Sequence, residues 1–251
     1  MREPLDEEVH RRRLGIIRSV RYRAVFFDVG ETLVHPAPSF PELFARIVEL
    51  EGHHVVSEDV LEASRAVTDR FSQASRDDER WTTSPERSRA FWISVYELML
   101  DALELPSGDG LREMLYAAFT DRANYALFDD VGPALERLAA EGYVLGLISN
   151  FEAWLDDLLA DLGVREAFTV RVISGIEGME KPDPRIYRLA LERAGIEPRE
   201  AVYVGDSPEF DVDPPAALGM FPVLIDRRGR HVGHVGARIT DMAQLPEVLD
   251  G

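Results

Sequence analysis

The sequence predicts an α/β fold, with a Rossmann-like, doubly wound parallel sheet and a helical domain inserted after the first strand. Two observations carry this prediction. A continuous apolar run of strand length lies near the start of the chain, at Ala24–Phe27. After Asp129, helix-like and strand-like segments alternate, which is typical of right-handed crossovers in a parallel sheet. The residues between these regions have helical periodicity, so we predict that the sheet domain is interrupted once.

The first predicted strand is apolar on both faces. Ala24–Phe27 contains no polar residue and is followed by Asp28, so both faces need cover, as in a parallel sheet flanked by helices. The preceding residues, 1–21, contain a cluster of arginines and are predicted to form an appendage. The sheet domain is then expected to comprise residues 22–38 and 127–251.

Residues 39–126 are predicted to form the inserted helical domain. Their apolar residues recur at the spacing of one helix face, and segments rich in glycine and proline separate successive stripes. Phe91, Trp92 and Tyr96 lie on one stripe. Their helical spacing favours packing in a helical core over a place in a substrate pocket.

The alternation after Asp129 defines the remaining elements. We predict helices over residues 131–141, 152–162, Pro184–Ala194 and 214–218. We predict strands over residues 143–148, 169–173, 201–204 and 222–225. Each helix would carry the chain from one parallel strand to the next.

Composition limits the class of function. The net charge of -18 at pH 7 disfavours nucleic acids and anionic membranes as partners, because most of the surface would repel them. The chain has no cysteine, which excludes disulfides, thiol nucleophiles and thiolate metal sites. That composition is typical of a cytoplasmic protein. None of these features indicates an oligomeric state.

The 28 basic residues include a single lysine, Lys181. Lysine presents a compact charge on a flexible stem, which suits contact with one carboxylate or phosphate oxygen, whereas arginine presents a planar fork. A lone lysine in so arginine-rich a chain indicates a position that needs this geometry. Lys181 is therefore a candidate functional residue.

Polar residues that could do chemistry follow the predicted strands. In an open parallel sheet, ligands bind beyond the carboxyl ends of the strands, where distant parts of the chain converge. The residues at these ends are Asp28, Ser149, Asn150, Lys181, Asp206 and Asp211. Carboxylate oxygens suit Mg²⁺, and a hydroxyl and an ammonium group suit phosphoryl oxygens. The pattern predicts a site for Mg²⁺ and a phosphoryl group at this edge.

The segments that carry these residues resemble the motifs of a known family. The segments are Phe27-Asp28-Val29-Gly30-Glu31-Thr32-Leu33, Leu147-Ile148-Ser149-Asn150, Glu180-Lys181-Pro182-Asp183-Pro184 and Val204-Gly205-Asp206-Ser207-Pro208-Glu209-Phe210-Asp211. In this order and spacing they resemble the haloacid dehalogenase-like (HAD) hydrolase superfamily. The resemblance is to subfamily I, with a helical cap between the first and second motifs, and most of all to its REG-2-like branch.

The resemblance implies catalytic and substrate-binding roles. Asp28 would attack phosphorus and form an aspartyl-phosphate. Ser149 and Asn150 would bind the phosphoryl group. Lys181 would bind it too and would neutralise charge on Asp28. A carboxylate nucleophile needs such nearby positive charge to approach a phosphate dianion.

The resemblance also implies a metal site. Mg²⁺ would be held by Asp28, the backbone carbonyl of Gly30 and Asp206. Asp211 would serve as a further ligand or as an orienting group. The substrate would be a small phosphate ester or acyl phosphate.

The sequence departs from the family pattern at Gly30. Most family phosphatases have an aspartate there, two residues after the nucleophile, as general acid and base. Glycine cannot move a proton, and loss of a positioned acid–base group typically costs about 10²–10⁴ in rate. Glu31 is the nearest replacement, although adjacent side chains tend to point apart. We therefore expect a weakened or altered hydrolase that prefers good leaving groups.

The departure leaves alternatives open. The chain could be a regulatory protein that binds a phosphorylated ligand without turnover. It could also be a 2-haloacid dehalogenase, since such enzymes lack the same aspartate, but they typically replace the acidic fourth motif that Asp206 and Asp211 represent here. Phosphonoacetaldehyde hydrolases need a lysine in the cap, and residues 39–126 contain none.

Overall fold

A computed structural model of the chain describes residues 21–77 and 79–250. The predicted appendage, residues 1–21, lies outside the described residues except for Arg21. Within the described residues, six parallel strands form one sheet: β1 Ala24–Phe27, β4 Val144–Ser149, β5 Val170–Ile173, β6 Ala201–Gly205, β7 Phe221–Ile225 and β8 Ala237–Ile239. Their order across the sheet is β5-β4-β1-β6-β7-β8. The predicted α/β fold with a doubly wound parallel sheet is confirmed.

The centre of the sheet is β1, which pairs with β4 on one side and β6 on the other. Its side chains alternate between the two faces of the sheet, as the period of a strand requires. Val25 and Phe27 pack into the hydrophobic core on one face, and Ala24 and Phe26 into the core on the other. The position of β1 therefore sets where its carboxyl end lies between two neighbouring strands.

Helices cover both faces of the sheet. The α-helices of the sheet domain are α5 Val131–Ala140, α6 Leu155–Asp161, α7 Ser174–Glu177, α8 Pro184–Ala194, α9 Asp213–Leu218 and α10 Leu245–Asp250. Residues of α5, α6 and α10 pack with Val25 and Phe27, whereas residues of α8 pack with Ala24 and Phe26. Both faces of each central strand are thereby removed from water.

The inserted helices have a hydrophobic core of their own. They are α1 Phe40–Leu50, α2 Ser57–Arg76, α3 Pro85–Ala102 and α4 Asp109–Thr120. Leu43 and Phe44 of α1, Met99 of α3 and Leu115 of α4 are fully buried in one cluster. This separate core agrees with the predicted cap, although the exact division into domains stays a prediction.

A small antiparallel sheet connects the helical insert to the parallel sheet. Its strands are β2 Val34–Pro36 and β3 Tyr125–Leu127, which lie before and after the insert. The predicted boundary at residue 127 falls at the end of β3. Three-residue strands are too short to produce a recognisable apolar alternation, so neither strand was predicted.

Several element boundaries differ from the prediction. The strand predicted over 143–148 ends one residue later, so Ser149 is the last residue of β4. The helix predicted over 152–162 begins only at Leu155. The reason is a turn at Phe151, whose backbone N–H donates to Ser174 Oγ at 2.9 Å and whose carbonyl accepts from Gly175 N at 3.0 Å.

The carboxyl-terminal elements also extend the prediction. The helix predicted over 214–218 begins at Asp213, directly after a π-helical turn over Pro208–Val212. Strand β8 and helix α10 were not predicted, and both are short. None of the described helices is long and apolar enough to cross a membrane.

Candidate active site

The carboxyl ends of three neighbouring strands bring together three of the predicted site residues. Asp28 follows β1, Ser149 ends β4 and Asp206 follows β6. Ser149 Oγ donates to Asp28 Oδ1 at 3.3 Å. Because β1 lies between β4 and β6, residues more than one hundred positions apart in the chain face one another here. The predicted convergence on this edge is observed.

Lys181 lies buried among the carboxylates. Its ammonium group donates to Asp28 Oδ1 and to Asp211 Oδ1, both at 2.7 Å, and to the Tyr203 hydroxyl at 3.2 Å. Its side chain is only 3% exposed, so these partners replace water around the charge. Desolvation alone would lower the pKa of Lys181, but Asp211 and Asp28 outweigh it and raise that pKa. The ammonium group is therefore charged and held against Asp28.

Asn150 holds the segment that carries Lys181. The Asn150 side-chain amide donates to the Lys181 carbonyl at 2.8 Å, and its oxygen accepts from the Lys181 N–H at 2.6 Å. Both polar atoms of the Asn150 side chain are thus engaged with one backbone unit. The observed contact is one of positioning, and the predicted contact with substrate stays a prediction.

Asp211 is fixed by two contacts from different directions. One oxygen accepts from Lys181, and the other accepts from the Ser207 backbone N–H at 3.0 Å. The π-helical turn that carries Asp211 packs it against Gly205, where an added Cβ would lie 2.3 Å from the Asp211 carboxyl carbon. Glycine is required there because any side chain would displace the carboxylate.

Asp28, Asp206 and Asp211 form a cluster that could hold a metal ion. Each offers a carboxylate oxygen, and these oxygens lie within 4.8 Å of one another. Asp28 Oδ2 receives no hydrogen bond from the described residues, in contrast to Oδ1. Clustered carboxylates of this kind match the oxygen ligands that Mg²⁺ prefers. The residues therefore fit the predicted Mg²⁺ site, and Gly30 lines the same cavity.

The electrostatics of the cluster favour a cation. Asp206 is half-buried in the cavity wall, and desolvation, with added repulsion from Asp28 and Asp211, raises its pKa. Desolvation also raises the pKa of Asp211, and Lys181 opposes that shift. Lys181 provides one positive charge against three carboxylates. A divalent cation would relieve the remaining repulsion.

Glu31 lies outside the cluster of Asp28, Asp206 and Asp211 but lines the same cavity. Its backbone has a φ of 57°, in the left-handed region where most residues are strained. Its side chain forms an ion pair with Arg228, and both side chains are about one-third exposed, at 34% and 35%. This pairing turns Glu31 toward the strand-end loop that carries Arg228 and engages one of its oxygens.

A cavity of about 580 Å³ lies between the helical insert and the strand ends. It contains Asp28, Ser149, Lys181 and Asp206 at its base. Its walls carry many aromatic side chains from the insert and the sheet domain: Phe40, Phe71, Trp81, Trp92, Tyr96, Tyr116, Phe119, Tyr125, Phe151, Trp154 and Phe210. The candidate site therefore opens into a solvent-accessible cleft with largely apolar walls.

The aromatic side chains of α3 pack in the core of the insert, and two of them also line the cavity. Phe91 is 2% exposed and packs with Trp81 in the core of the insert. Trp92 and Tyr96 take part in the packing of the insert and also line the cavity. Core packing was the predicted use, and it holds for all three residues.

Glu180 is a residue whose contacts the sequence did not indicate. It is 4% exposed and accepts from the backbone N–H groups of Trp81 and Thr82 at 3.1 and 2.8 Å and from the Thr82 hydroxyl at 2.6 Å. Desolvation raises the pKa of Glu180, and the bonds from Thr82 and Trp81 oppose the shift. Glu180, the residue directly before Lys181, thus joins the insert to the segment that carries Lys181. No spacing or motif links positions so far apart.

Replacement of Lys181 by methionine is expected to lower the free energy of unfolding by about 3–5 kcal/mol, because one partner of a buried charge network is lost. Asp28 and Asp211 would lose their cation while remaining buried. The measurement is urea denaturation in buffer with EDTA. Arg193→Met is the matched control, since Arg193 pairs with Glu177 with 41% of its side chain exposed and should cost less than about 1 kcal/mol. Equal stability of the Lys181→Met and unaltered proteins would contradict the inferred coupling.

A family model described as haloacid dehalogenase-like hydrolase matches residues 22–219. The chain belongs to the haloacid dehalogenase-like hydrolases, and the family predicted from the motifs is confirmed. The match spans the helical insert and four strands of the parallel sheet, β1, β4, β5 and β6.

Individual relatives support the same assignment. The chain is 30% identical over 210 residues to haloacid dehalogenase-like hydrolase domain-containing protein 3 of Mus musculus, and this alignment covers 82% of each chain. It is 33% identical over 153 residues to phosphoserine phosphatase of Thermus thermophilus, and this alignment covers 59% of this chain and 61% of the relative. The matches also include haloacid dehalogenases.

A solved structure agrees with the fold. The HAD phosphatase from Thermococcus onnurineus superposes with a TM-score of 0.58 at 23% identity, over 90% of this chain and 97% of that chain. At this identity the likeness concerns the fold alone.

Proposed function

We propose that the protein is a Mg²⁺-dependent hydrolase of small phosphorylated molecules that acts through an aspartyl-phosphate on Asp28. The observation that carries the proposal is the 2.7 Å contact between the buried Lys181 ammonium group and Asp28 Oδ1, in a cavity between the helical insert and the strand ends. Phosphatase names among the relatives, for phosphoserine and for glyceraldehyde 3-phosphate, support the substrate class.

In the proposed reaction, an Asp28 carboxylate oxygen attacks phosphorus and the bond from phosphorus to the leaving oxygen breaks, so that the leaving group departs as an alkoxide, phenolate or carboxylate anion. Lys181 offsets the negative charge that Asp28 and the phosphoryl oxygens bring together, and Ser149 donates a hydrogen bond to a phosphoryl oxygen. Water then attacks phosphorus, which releases phosphate and restores the Asp28 carboxylate. Asn150 acts by fixing the Lys181 backbone.

Mg²⁺, held by Asp28, Asp206 and the Gly30 carbonyl, would supply charge neutralisation for the phosphoryl group. Asp211 is better suited to orient Lys181 than to bind the ion directly, because both of its oxygens accept hydrogen bonds.

The leaving group would depart without a proton from a residue at position 30. Glu31 forms an ion pair with Arg228 and is an unsuitable substitute in that arrangement. We therefore expect aryl and acyl phosphates, whose leaving groups are stable as anions, to be better substrates than alkyl phosphates. Equal rates for alkyl and aryl phosphates would show that another group donates the proton.

The missing aspartate also favours a second candidate, a protein that binds phosphorylated ligands without turnover. Tight binding of a phosphate ester with no release of phosphate would support it. A 2-haloacid dehalogenase is the weaker alternative, because Asp206 and Asp211 add negative charge where a metal-independent halide reaction has no use for it.

The proposal is tested by measuring phosphate release from p-nitrophenyl phosphate with added Mg²⁺ and with EDTA. We expect turnover with Mg²⁺ and background release with EDTA, with restoration when Mg²⁺ is returned in excess. Halide release from 2-haloacids is measured in parallel and is expected to be absent. Halide release that continues in EDTA, without phosphate release, would overturn the proposal in favour of a dehalogenase.

A further inference from the structure

A carboxylate in the cavity wall has no part in the proposed reaction. Glu152 lies three residues after Ser149, is half-buried and lines the cavity. Its Oε1 accepts a hydrogen bond of 2.8 Å from Ser88 Oγ of α3, a side chain that is fully buried. Glu152 is therefore held in place from the helical insert while it faces the space that would hold the leaving group of a substrate.

Among the described residues, three of the other carboxylates that line the cavity pair with a cation, whereas Glu152 does not. Asp28 and Asp211 pair with Lys181, and Glu31 pairs with Arg228. Among the residues that the structure describes, none forms an ion pair with Glu152, and no cation contributes to its pKa. Desolvation raises that pKa, which means that a positive charge placed beside Glu152 would stabilise the carboxylate form.

Aromatic side chains surround this carboxylate. Phe151 and Trp154 flank it in the chain, with ring centroids 4.8 Å apart, and Tyr125 lies 5.6 Å from Trp154. Desolvation, together with the charge of Glu152, raises the pKa of Tyr116 to about 12, so Tyr116 also lies close by. Trp154 and Tyr116 also lower the pKa of Glu152 through their polar side-chain groups, which places both aromatic side chains beside the carboxylate. A carboxylate with aromatic side chains close by is complementary to an organic ammonium group, which can pair with the charge and contact an aromatic ring.

The distance between the two sites suits a small molecule. Three residues separate Ser149 from Glu152, so their Cα atoms are at most about 11 Å apart. A phosphoryl group at Ser149 and Lys181 and a positive group at Glu152 would therefore lie at opposite ends of one compact ligand.

We propose that Glu152 and the aromatic rings around it form a subsite for an organic ammonium group, so that the substrate is the phosphate ester of an amine-bearing alcohol or phenol. This inference rests on the phosphoryl site of the proposed function. It assigns to Glu152 a role in substrate specificity and none in bond breaking.

The test compares two ligands of similar shape, para-(aminomethyl)phenyl phosphate and para-(hydroxymethyl)phenyl phosphate. Their affinities for Asp28→Asn protein with Mg²⁺ are measured by calorimetry, so that turnover does not interfere. The ammonium ligand is expected to bind about tenfold more tightly, the usual advantage of a charge-assisted contact. Equal affinity, or failure of both ligands to bind, would overturn the inference without any further variant.

Substitution of Glu152 by glutamine locates the effect. Glutamine keeps the oxygen that accepts from Ser88, so the contact between insert and sheet domain is retained, and the preference for the ammonium ligand should disappear. The control is Glu209→Gln, since Glu209 also lines the cavity, and here the preference should persist. Equal weakening of both ligands by Glu152→Gln would indicate a structural role and would overturn the inference.

The inference and the proposed function fail in different ways. Absence of phosphate release by the unaltered protein would reject the hydrolase, yet the affinity ratio of the two ligands would be unchanged. Turnover of both aryl phosphates with equal KM in the unaltered protein and in Glu152→Gln would retain the hydrolase and reject the ammonium subsite.

Discussion

Asp28→Asn protein is expected to hydrolyse p-nitrophenyl phosphate about 10⁴-fold more slowly than the unaltered protein, or not at all, because an amide cannot act as the nucleophile. The asparagine oxygen can still accept from Lys181 and Ser149, which contact a single oxygen of Asp28. Removal of one of several crowded negative charges should leave the variant folded. Initial rates with Mg²⁺, together with a thermal melting curve, provide the measurement.

The matched control for this substitution is Asp213→Asn. Asp213 is an exposed carboxylate at the start of α9, two residues beyond Asp211, and it undergoes the same chemical change. Its variant should retain the full rate. Turnover by Asp28→Asn at a rate similar to that of Asp213→Asn would exclude Asp28 as the nucleophile.

Gly30→Asp protein is expected to hydrolyse alkyl phosphates about 10²–10⁴-fold faster than the unaltered protein, since it regains a group that can donate a proton to the leaving oxygen. The position can accept a side chain. No atom lies within 4 Å of an added Cβ at Gly30, and Gly30 is not among the residues of positive φ. Values of kcat/KM for an alkyl phosphate and for p-nitrophenyl phosphate should show a much smaller gain for the latter, whose leaving group needs no proton.

Gly30→Asn separates proton transfer from the effects of size and polarity. Asparagine has the shape of aspartate, but its amide cannot donate a proton to the leaving oxygen. This variant should therefore not accelerate hydrolysis of the alkyl phosphate. A gain of equal size in both variants would mean that the side chain acts by positioning substrate. No gain in Gly30→Asp would mean that the unaltered protein already has a proton donor.

The convergence of the candidate site could be predicted because it follows from sheet topology. Asp28, Ser149 and Asp206 stand at the ends of apolar runs, and the ends of parallel strands share one edge. Lys181 stood out as the single lysine of the chain. Since each of these signals is local, the central part of the site needed no knowledge of long-range packing.

Contacts between the helical insert and the sheet domain could not be predicted. Thr82 donates a hydrogen bond to Glu180, and Ser88 donates one to Glu152. Each bond depends on how the helical insert and the sheet domain, which have separate cores, pack against one another. No periodicity or motif encodes that arrangement. The two hydrogen bonds between the Asn150 side chain and the Lys181 backbone could not be predicted either. The family motifs indicate both residues but not the contact between them.

The position of Glu31 illustrates an ambiguity of a different kind. The sequence identified it as the nearest candidate to replace the missing aspartate, on proximity alone. Its side chain lines the same cavity as Asp28, but an ion pair with Arg228 engages one of its oxygens, and Arg228 lies almost two hundred residues away in the chain. A partner so distant in the chain could not be predicted from the sequence, so only the folded structure shows how Glu31 is held.

The most direct test of the central claim is chemical trapping of the aspartyl-phosphate. The protein is mixed with an aryl phosphate and Mg²⁺, quenched, treated with borohydride and digested for mass spectrometry. Borohydride reduces an acyl phosphate of aspartate to homoserine, so we predict homoserine at position 28, dependent on substrate and Mg²⁺. Phosphate release at the full rate with Asp28 unreduced, or with homoserine at Asp206 instead, would contradict the account.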